Sequence, residues 1–394
     1  MNNILIIAGR YLPGYKDGGP VRTIKNLTDL LGDKYHFTIC CADRDHGDEK
    51  PYDSIIASDG DDAKRLRKSG DKSCLNQVGK ADVFYVKDCR FSFSLIKNLC
   101  HVNDLVYVCG LYNGYAIKPL LLNRFGKIKC PLVLAPMGSF SKGALSIKSV
   151  KKKVFFSLVK VFKLFNNVIF SVTSEVEEKE LRDALNVGNR CFVARDPQRA
   201  VSNELTHKSF KRDGKLQVVF LSRISEKKNL LGAIEILSRV DNDINFSIYG
   251  NIEDREYYDK CVEKLKRLPE NISWEYKGTA DSEQVPIIMS GYDVFLFPTH
   301  GENFGHVISE ALSAGTIPVI SDTTPWLDFD EHNAGFVVSH GEVSSFAKVL
   351  NSLCEMSEDK LKQLSDNAIE YYKKNYEDSI NNNGYMEMFN ELLR

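Results

Sequence analysis

The stretch GENFGHVISEALSAG, residues 301–315, lies between two short apolar runs, DVFLFPT at 293–299 and IPVISD at 317–322. Its own apolar residues recur at helical spacing, so the pattern predicts strand, loop, helix and strand in succession. The predicted helix begins near Phe304 and ends at Gly315, where glycine is a natural stop. Short apolar runs alternate with longer amphipathic ones along the rest of the chain. This alternation is typical of a parallel sheet with helices on its faces.

Two such alternating series predict two domains, and 394 residues are enough for each domain to have its own core. The first series begins with NILIIA at 3–8 and the second with LQVVFLS at 216–222. The predicted parts are a first domain at 1–195, a linker at 196–215, a second domain at 216–375 and a terminal helix at 376–394, which we expect to cross back to the first domain. We expect an α/β fold of two facing, Rossmann-like doubly wound domains with a ligand cleft between them, because such sheets bind ligands at the carboxyl ends of their strands.

The composition excludes several classes of protein. The 52 Lys and Arg residues nearly cancel the 53 Asp and Glu residues, which excludes a globally basic nucleic-acid-binding protein. No run reaches the ~18 apolar residues of a membrane-spanning helix, and the first apolar run, ILIIA, is too short for a signal peptide. The ten cysteines include no C-x-x-C pair, so we expect reduced thiols in a cytoplasmic protein.

The stretch 301–315 places one carboxylate before the predicted helix and another inside it. The first turn of a helix leaves backbone amides without partners, here around Gly305 and His306, and its dipole favours an anion such as a phosphate. Glu302 and Glu310 would then accept hydrogen bonds from sugar hydroxyls at either end of a diphosphate. The alternatives are a favourable acid before a helix for Glu302 and a solvated helix face for Glu310.

Other segments add candidate phosphate contacts. In FLSRISEKKN, Arg223 offers a planar fork to phosphate oxygens and Lys228 offers a point charge, so we expect the pair to meet a diphosphate. The alternative is surface charge, which fits Lys227 better. Near the N-terminus, Gly18 and Gly19 precede a predicted helix, where glycine lets backbone amides approach a phosphate or a sugar. A simple turn is the alternative there.

Motifs of other enzyme classes are missing. No G-x-G-x-x-G follows the first strand, which argues against a nicotinamide-dependent dehydrogenase. GRYLPGYK at 9–16 has two glycines at P-loop spacing but lacks the Gly-Lys-Ser/Thr continuation, which argues against nucleotide hydrolysis. The eight histidines are scattered, no H-E-x-x-H is present, and no D-x-D at a strand end demands a metal.

Together these segments resemble glycosyltransferase family 4, whose members have the GT-B fold. The marker segment of that family is present as Glu302, Asn303, Phe304, Gly305 and Glu310. FLSRISEKKNL resembles the family's phosphate-binding stretch G-R-x-x-x-x-K-G, with Ser222 and Asn229 where glycine is common. DGGPVRTIKNL matches its glycine loop, and LAPMGSFSKGAL followed by lysines matches one branch of the family.

The resemblance implies a retaining glycosyltransferase that moves a sugar from a UDP- or GDP-sugar to a glycan, without a metal or other cofactor. The first domain would bind the acceptor and the second the nucleotide sugar. The implied product is a bacterial surface polysaccharide such as O-antigen or capsule. The implied catalytic residues are Glu302, Arg223 and Lys228, and the implied donor contacts are Gly19, Ser222, Asn303, Phe304, Gly305, His306 and Glu310. A nucleotide-sugar epimerase of the same fold and a non-catalytic nucleotide-sugar-binding protein remain alternatives.

One position departs from the family pattern. Many relatives carry a histidine just after the fourth strand of the first domain, and Cys109 stands in the comparable place here. The resemblance therefore assigns no catalytic group in that domain, where Asn113 and Ser139 are the candidates.

A basic, apolar segment suggests contact with a membrane surface. Residues 148–170 contain six lysines, no acidic residue and many large apolar residues. As a helix, this segment would set a basic face beside an apolar face, which suits an anionic membrane. Lys151, Lys152 and Lys153 are the candidate contacts, and the implied acceptor is lipid-linked. The alternative is a helix packed on its own sheet with solvated lysines.

Overall fold

The computed structural model describes residues 1–14, 16–140, 155–157, 159, 161–185, 188–200, 209–281 and 283–394. The chain divides into two compact units. Unit 1 comprises Met1–Pro197 and Ser379–Arg394, and unit 2 comprises Gln198–Asp378. The chain therefore returns to unit 1 for its last residues.

Each unit is built on one sheet. The described strands are β1 Asn3–Ile7, β2 His36–Ala42, β3 Ala57–Ser58, β4 Asn76–Val78, β5 Ala81–Val86, β6 Leu105–Cys109, β7 Leu132–Ala135, β8 Ile169–Val172 and β9 Cys191–Val193 in unit 1, and β10 Leu216–Leu221, β11 Ile244–Tyr249, β12 Ile272–Tyr276, β13 Val294–Phe297, β14 Ile317–Ser321 and β15 Phe336–Val338 in unit 2. In unit 1 the strand order is β3-β5-β2-β1-β6-β7-β8-β9, with β4 antiparallel beside β5. In unit 2 the order is β12-β11-β10-β13-β14-β15, and these pairings are parallel.

Helices connect the strands. The described helices are α1 Gly19–Leu31, α2 Gly60–Ser69, α3 Phe93–Cys100, α4 Gly114–Arg124, α5 Glu175–Leu185, α6 Leu230–Leu237, α7 Arg255–Leu265, α8 Val285–Ser290, α9 His306–Ser313, α10 Phe329–His332, α11 Val343–Glu355, α12 Glu358–Asn381 and α13 Gly384–Leu392. None of the described helices combines the length and apolar character that crossing a membrane requires.

The apolar runs form strands because both faces of each sheet are covered. In β1, Leu5 and Ile7 enter the core on one side of the sheet, and Ile4 and Ile6 enter the core on the other. A parallel strand buried on both faces is expected to be apolar throughout rather than alternating. The two units are thus Rossmann-like doubly wound domains of the α/β class, as the sequence predicts.

The last helix belongs to the core of unit 1. Phe389 of α13 is fully buried, and its ring centroid lies 5.4 Å from that of Tyr35 and 6.3 Å from that of Phe37. The Tyr35 hydroxyl donates to Asn390 Oδ1 at 2.7 Å. These contacts connect the C-terminal residues to β2 and its neighbours.

Candidate functional site

Two loops at the carboxyl edge of the unit 2 sheet carry opposite charges that meet. Lys228 ends a 3-10 turn after β10, and Glu302 lies in the loop after β13. Lys228 Nζ and Glu302 Oε1 are 2.5 Å apart, and the side chains are 12% and 10% exposed. From the adjacent strands β10 and β13 the chain proceeds toward opposite edges of the sheet. The ion pair therefore lies at the switch point where doubly wound sheets bind ligands.

Glu302 stabilises the charged form of Lys228. Its Nζ lies 5.7 Å from the centroid of the Phe297 ring, within reach of a cation–π contact. Burial lowers the pKa of Lys228 below its ordinary value of 10.5, while the Glu302 carboxylate acts in the opposite direction. Removing that carboxylate would leave burial unopposed, and burial disfavours the charged form.

Arg223 lies two residues beyond β10 and forms an ion pair with a carboxylate, Glu253, that the sequence pattern does not predict. Its Nη1 donates to both carboxylate oxygens of Glu253, each at 3.1 Å. The two side chains are 40% and 48% exposed, so the guanidinium is open to solvent. Ser222, which precedes Arg223, donates its backbone amide to Tyr249 O at 3.1 Å and continues the β10–β11 pairing.

Helix α9, in the stretch 301–315, begins at His306, two residues later than the sequence predicts. Gly305 precedes it with a φ of 84°, in the left-handed region that favours glycine. Just before it, Phe304 O accepts a hydrogen bond from Trp326 Nε1 at 2.6 Å, and the two rings meet edge to face. Asn303 lies in the same loop, between Glu302 and Phe304. These contacts end the loop and orient the first turn of α9.

Helix α9 is buried on its polar side as well as its apolar side. Ile308, Ala311 and Leu312 are fully buried, as the helical pattern predicts. Glu310, however, is only 8% exposed, so the alternative of a solvated helix face is wrong. Tyr372 of α12 lies close to this side of α9: its pKa is raised by burial, lowered by a hydrogen bond with Ser309 and raised by the Glu310 charge.

The loop after β13 also carries Thr299 and His300. Thr299 Oγ1 lies 3.2 Å from Glu302 Oε1 and 3.1 Å from Lys227 O. His300 Nδ1 lies 2.6 Å from Nε2 of His340, which follows β15. Burial lowers the pKa of His300, and the charge of His340 lowers it further.

Several predicted residues lie in unit 1. Gly19 opens α1 and follows Gly18, whose φ is 67°. Asn113 precedes α4, with its Nδ2 3.1 Å from the Tyr115 hydroxyl. Ser139 Oγ donates to Pro136 O at 2.5 Å. Cys109 ends β6 in the core, where burial raises its pKa.

Two further predictions concern basic residues and metals. Lys151, Lys152 and Lys153 lie outside the described residues. Among the residues that are described, no three His, Cys, Asp or Glu side chains are grouped as a metal site would require.

Sequence comparison finds similar proteins. Residues 201–371 match the family described as Glycosyl transferases group 1. The processive diacylglycerol alpha-glucosyltransferase of Acholeplasma laidlawii is 25% identical over 158 residues. That alignment covers 39% of this chain and 46% of the relative, so it spans about half of the relative's length.

Solved structures share the fold over nearly the whole chain. Anabaena HepE, crystallised with UDP and glucose, has a TM-score of 0.65 at 17% identity, with 95% of this chain and 96% of that chain covered. WaaG, a glycosyltransferase involved in lipopolysaccharide biosynthesis, has a TM-score of 0.63 at 12% identity, with 94% and 95% covered. The chain therefore has the GT-B fold.

Proposed function

We propose that the chain is a retaining glycosyltransferase that takes its sugar from a UDP- or GDP-sugar. The observation that carries the proposal is the Lys228–Glu302 ion pair at the switch point of unit 2, with Arg223 on the neighbouring loop. Two cations and one carboxylate at this position suit a ligand that joins a diphosphate to a neutral sugar. The match of residues 201–371 to a glycosyltransferase family and the UDP held by HepE support the same ligand class.

In this proposal the site stabilises the departing nucleoside diphosphate. Negative charge grows on the diphosphate as the glycosidic bond breaks, and fixed positive groups lower the energy of that state. Arg223, Lys228 and the amides at the start of α9, around Gly305 and His306, would supply those groups. Glu302 would accept hydrogen bonds from the donor sugar.

The remaining donor contacts have smaller roles in the proposal. Glu310 would bind the ribose. Ser222, Asn303 and Phe304 would line the donor, and the backbone amide of Gly19 is a further proposed donor contact.

We further propose a lipid-linked glycan acceptor in the synthesis of a bacterial surface polysaccharide such as O-antigen or capsule. Support comes from two similar proteins, the processive diacylglycerol alpha-glucosyltransferase of Acholeplasma laidlawii and WaaG, which is involved in lipopolysaccharide biosynthesis. Unit 1 would hold this acceptor.

Product analysis separates this proposal from its alternatives. The protein is incubated with UDP- or GDP-sugars, with and without lipid-linked acceptors from a polysaccharide-producing bacterium. A glycosylated lipid that forms only with acceptor supports transfer. A new nucleotide sugar formed from donor alone supports an epimerase, and binding without turnover supports a non-catalytic binding protein.

Chelation of metals tests whether amino-acid cations alone neutralise the diphosphate. Arg223, Lys228 and the start of α9 already supply positive charge in the proposed site, so EDTA is expected to leave the transfer rate within about twofold. Initial rates with and without EDTA give the answer. A complete loss that a divalent ion reverses would contradict metal-independent transfer.

We also propose that the protein works at the inner face of the cell membrane, bound through unit 1. Residues 105–174 contain no Asp or Glu and eleven Lys or Arg. Within this stretch, Phe125, Val161 and Phe162 are 67%, 74% and 52% exposed. Arg124 Nε donates to Phe162 O at 3.1 Å, which brings these apolar side chains close to a cation. Cations beside exposed apolar residues suit an anionic lipid surface.

Replacing Lys151, Lys152 and Lys153 with glutamine is expected to weaken binding to phosphatidylserine vesicles by tenfold or more at low salt. Each lysine near such a surface contributes ~1 kcal/mol. The matched control replaces three exposed lysines of α12, Lys360, Lys373 and Lys374. Vesicle co-sedimentation measures both, and equal binding by the two triple variants would count against the membrane surface.

A further inference from the structure

Thr299 has a buried hydroxyl in the middle of the proposed donor site. The residue lies two positions after β13 and is fully buried. Its Oγ1 accepts a hydrogen bond from the Gly301 amide at 3.3 Å and lies near two acceptors, Lys227 O and Glu302 Oε1. A hydroxyl has one proton, so it donates to one of these acceptors at a time. A hydrogen bond to an ionised acceptor is roughly twice as strong as one to a neutral carbonyl, so the Glu302 carboxylate is the favoured acceptor of the Thr299 proton.

The contacts of Glu302 are asymmetric. The hydrogen bonds to its carboxylate from the described residues, donated by Lys228 and Thr299, both end on Oε1. A carboxylate held by one ammonium alone can rotate and present either oxygen. A second donor at a fixed position selects one orientation, in which Oε2 is left for a ligand.

The backbone around Thr299 is itself fixed. Thr299 O accepts Ser321 Oγ at 2.6 Å and Thr323 Oγ1 at 2.7 Å. The Glu302 amide donates to Thr323 O at 3.1 Å. The loop after β13 is therefore bound to the end of β14, so Thr299 and Glu302 keep their relative positions.

We propose that Thr299 is a positioning residue, which together with Lys228 holds Oε1 of Glu302 so that Oε2 accepts a hydrogen bond from the donor sugar. The inference rests on the proposed function of this site. It adds that recognition of the sugar, as distinct from recognition of the nucleoside diphosphate, depends on one buried hydroxyl.

The test compares Thr299→Val, which has the same shape without the hydroxyl, with Thr299→Ser, which keeps the hydroxyl. A hydrogen bond to a charged group contributes enough to change a rate constant by roughly tenfold or more. We expect Thr299→Val to lower kcat about tenfold and to weaken UDP- or GDP-sugar binding relative to free UDP or GDP. Thr299→Ser is expected to stay close to the wild type in both measurements.

Thr316→Val is the matched control, because it removes another fully buried threonine hydroxyl, one that donates to Met289 O and lies just before β14, at the opposite end of that strand from Ser321. It is expected to leave the ratio of nucleotide-sugar affinity to free-nucleotide affinity unchanged, as measured by calorimetry. Thr299→Ala replaces the valine variant, under the same criterion, if valine prevents folding.

An equal loss of affinity for nucleotide and nucleotide sugar in the valine variant would indicate a structural role and overturn the positioning role. An unchanged kcat and affinity ratio would overturn it too. In either case, a wild type that transfers sugar keeps the proposed function. A wild type that binds no nucleotide sugar would overturn both.

Discussion

Replacing Glu302 with glutamine is expected to lower kcat by about 100-fold or more, with a smaller rise in the KM of the donor. Glu302 is proposed to contact the sugar being transferred, where charge changes most on the way to the transition state. Loss of one preorganised contact to developing charge typically costs 10²–10³ in kcat, or about 2.7–4 kcal/mol. An interaction that is stronger in the transition state than in the ground state lowers kcat rather than raising KM.

The second carboxylate of the pair is the matched comparison for this prediction. Glu310 is proposed to contact the ribose, a part of the donor that does not react. Glu310→Gln is therefore expected to raise the donor KM while kcat falls much less. Steady-state kinetics on both variants measure the difference, and the same pattern in both would contradict the separate roles.

The ion pair adds a stability effect to the Glu302 variant. Glutamine removes the negative charge beside the nearly buried Lys228 ammonium, and a poorly compensated buried donor costs about 1–3 kcal/mol. We expect Glu302→Gln to remain folded with a lower melting temperature. If both glutamate variants lose stability while kcat is unchanged, the two carboxylates serve the fold alone.

The pH dependence of the rate follows from the same pair. The proposed role of Lys228 requires its charged form, so the rate should fall as pH rises through the pKa of this lysine. Burial places that pKa below 10.5, and Glu302 opposes the decrease. In Glu302→Gln the alkaline limb of the pH–rate profile is therefore expected at lower pH than in the wild type. A limb that moves to higher pH would contradict this assignment.

Arg223→Ala and Lys228→Ala are each expected to reduce turnover by about 100-fold or more. Each change removes one cation from the proposed diphosphate site, and one such donor is worth ~2.7–4 kcal/mol. Lys228→Arg is expected to retain little of the wild-type turnover, because a planar guanidinium does not replace a compact ammonium in a nearly buried position. Initial rates at saturating donor and acceptor measure these losses.

Two further variants separate a local role of Arg223 from a general effect of charge. Arg255→Ala removes an exposed arginine from α7 that pairs with Asp259, and it is expected to leave turnover unchanged. Glu253→Gln frees Arg223 from its carboxylate partner and should change turnover far less than Arg223→Ala. Turnover close to the wild type in both Arg223→Ala and Lys228→Ala would remove the diphosphate assignment.

The strands could be predicted because burial on both faces leaves a local signature. LQVVFLS became β10, Leu216–Leu221, and DVFLFPT became β13, Val294–Phe297. The order of strands in the sheet is a property of chain crossovers and has no such signature. The placement of Lys228 beside Glu302 depends on that order, because the loops after β10 and β13 are 74 residues apart in sequence.

Other parts of the site depend on residues distant in sequence. The start of α9 at His306 reflects the left-handed Gly305 and the Trp326 hydrogen bond, and neither appears in the helical spacing of apolar residues. Glu310 is buried and lies close to Tyr372 of α12, a neighbour that a pattern within α9 does not encode. The Glu253 partner of Arg223 follows β11, and its proximity could be inferred only once β10 and β11 were known to be neighbours.

In the proposed function, unit 2 binds a nucleotide sugar through Arg223 and the Lys228–Glu302 pair. A thermal-shift screen of the whole chain against UDP-, GDP- and dTDP-sugars tests it most directly, with Arg223→Ala as the comparison. A ligand that binds the folded state adds about 2.7 kcal/mol of stability at a hundredfold its dissociation constant. We predict that a UDP- or GDP-sugar raises the melting temperature of the wild type and has little effect on Arg223→Ala. A wild-type melting temperature that no nucleotide sugar changes would contradict the binding of a nucleotide sugar by unit 2.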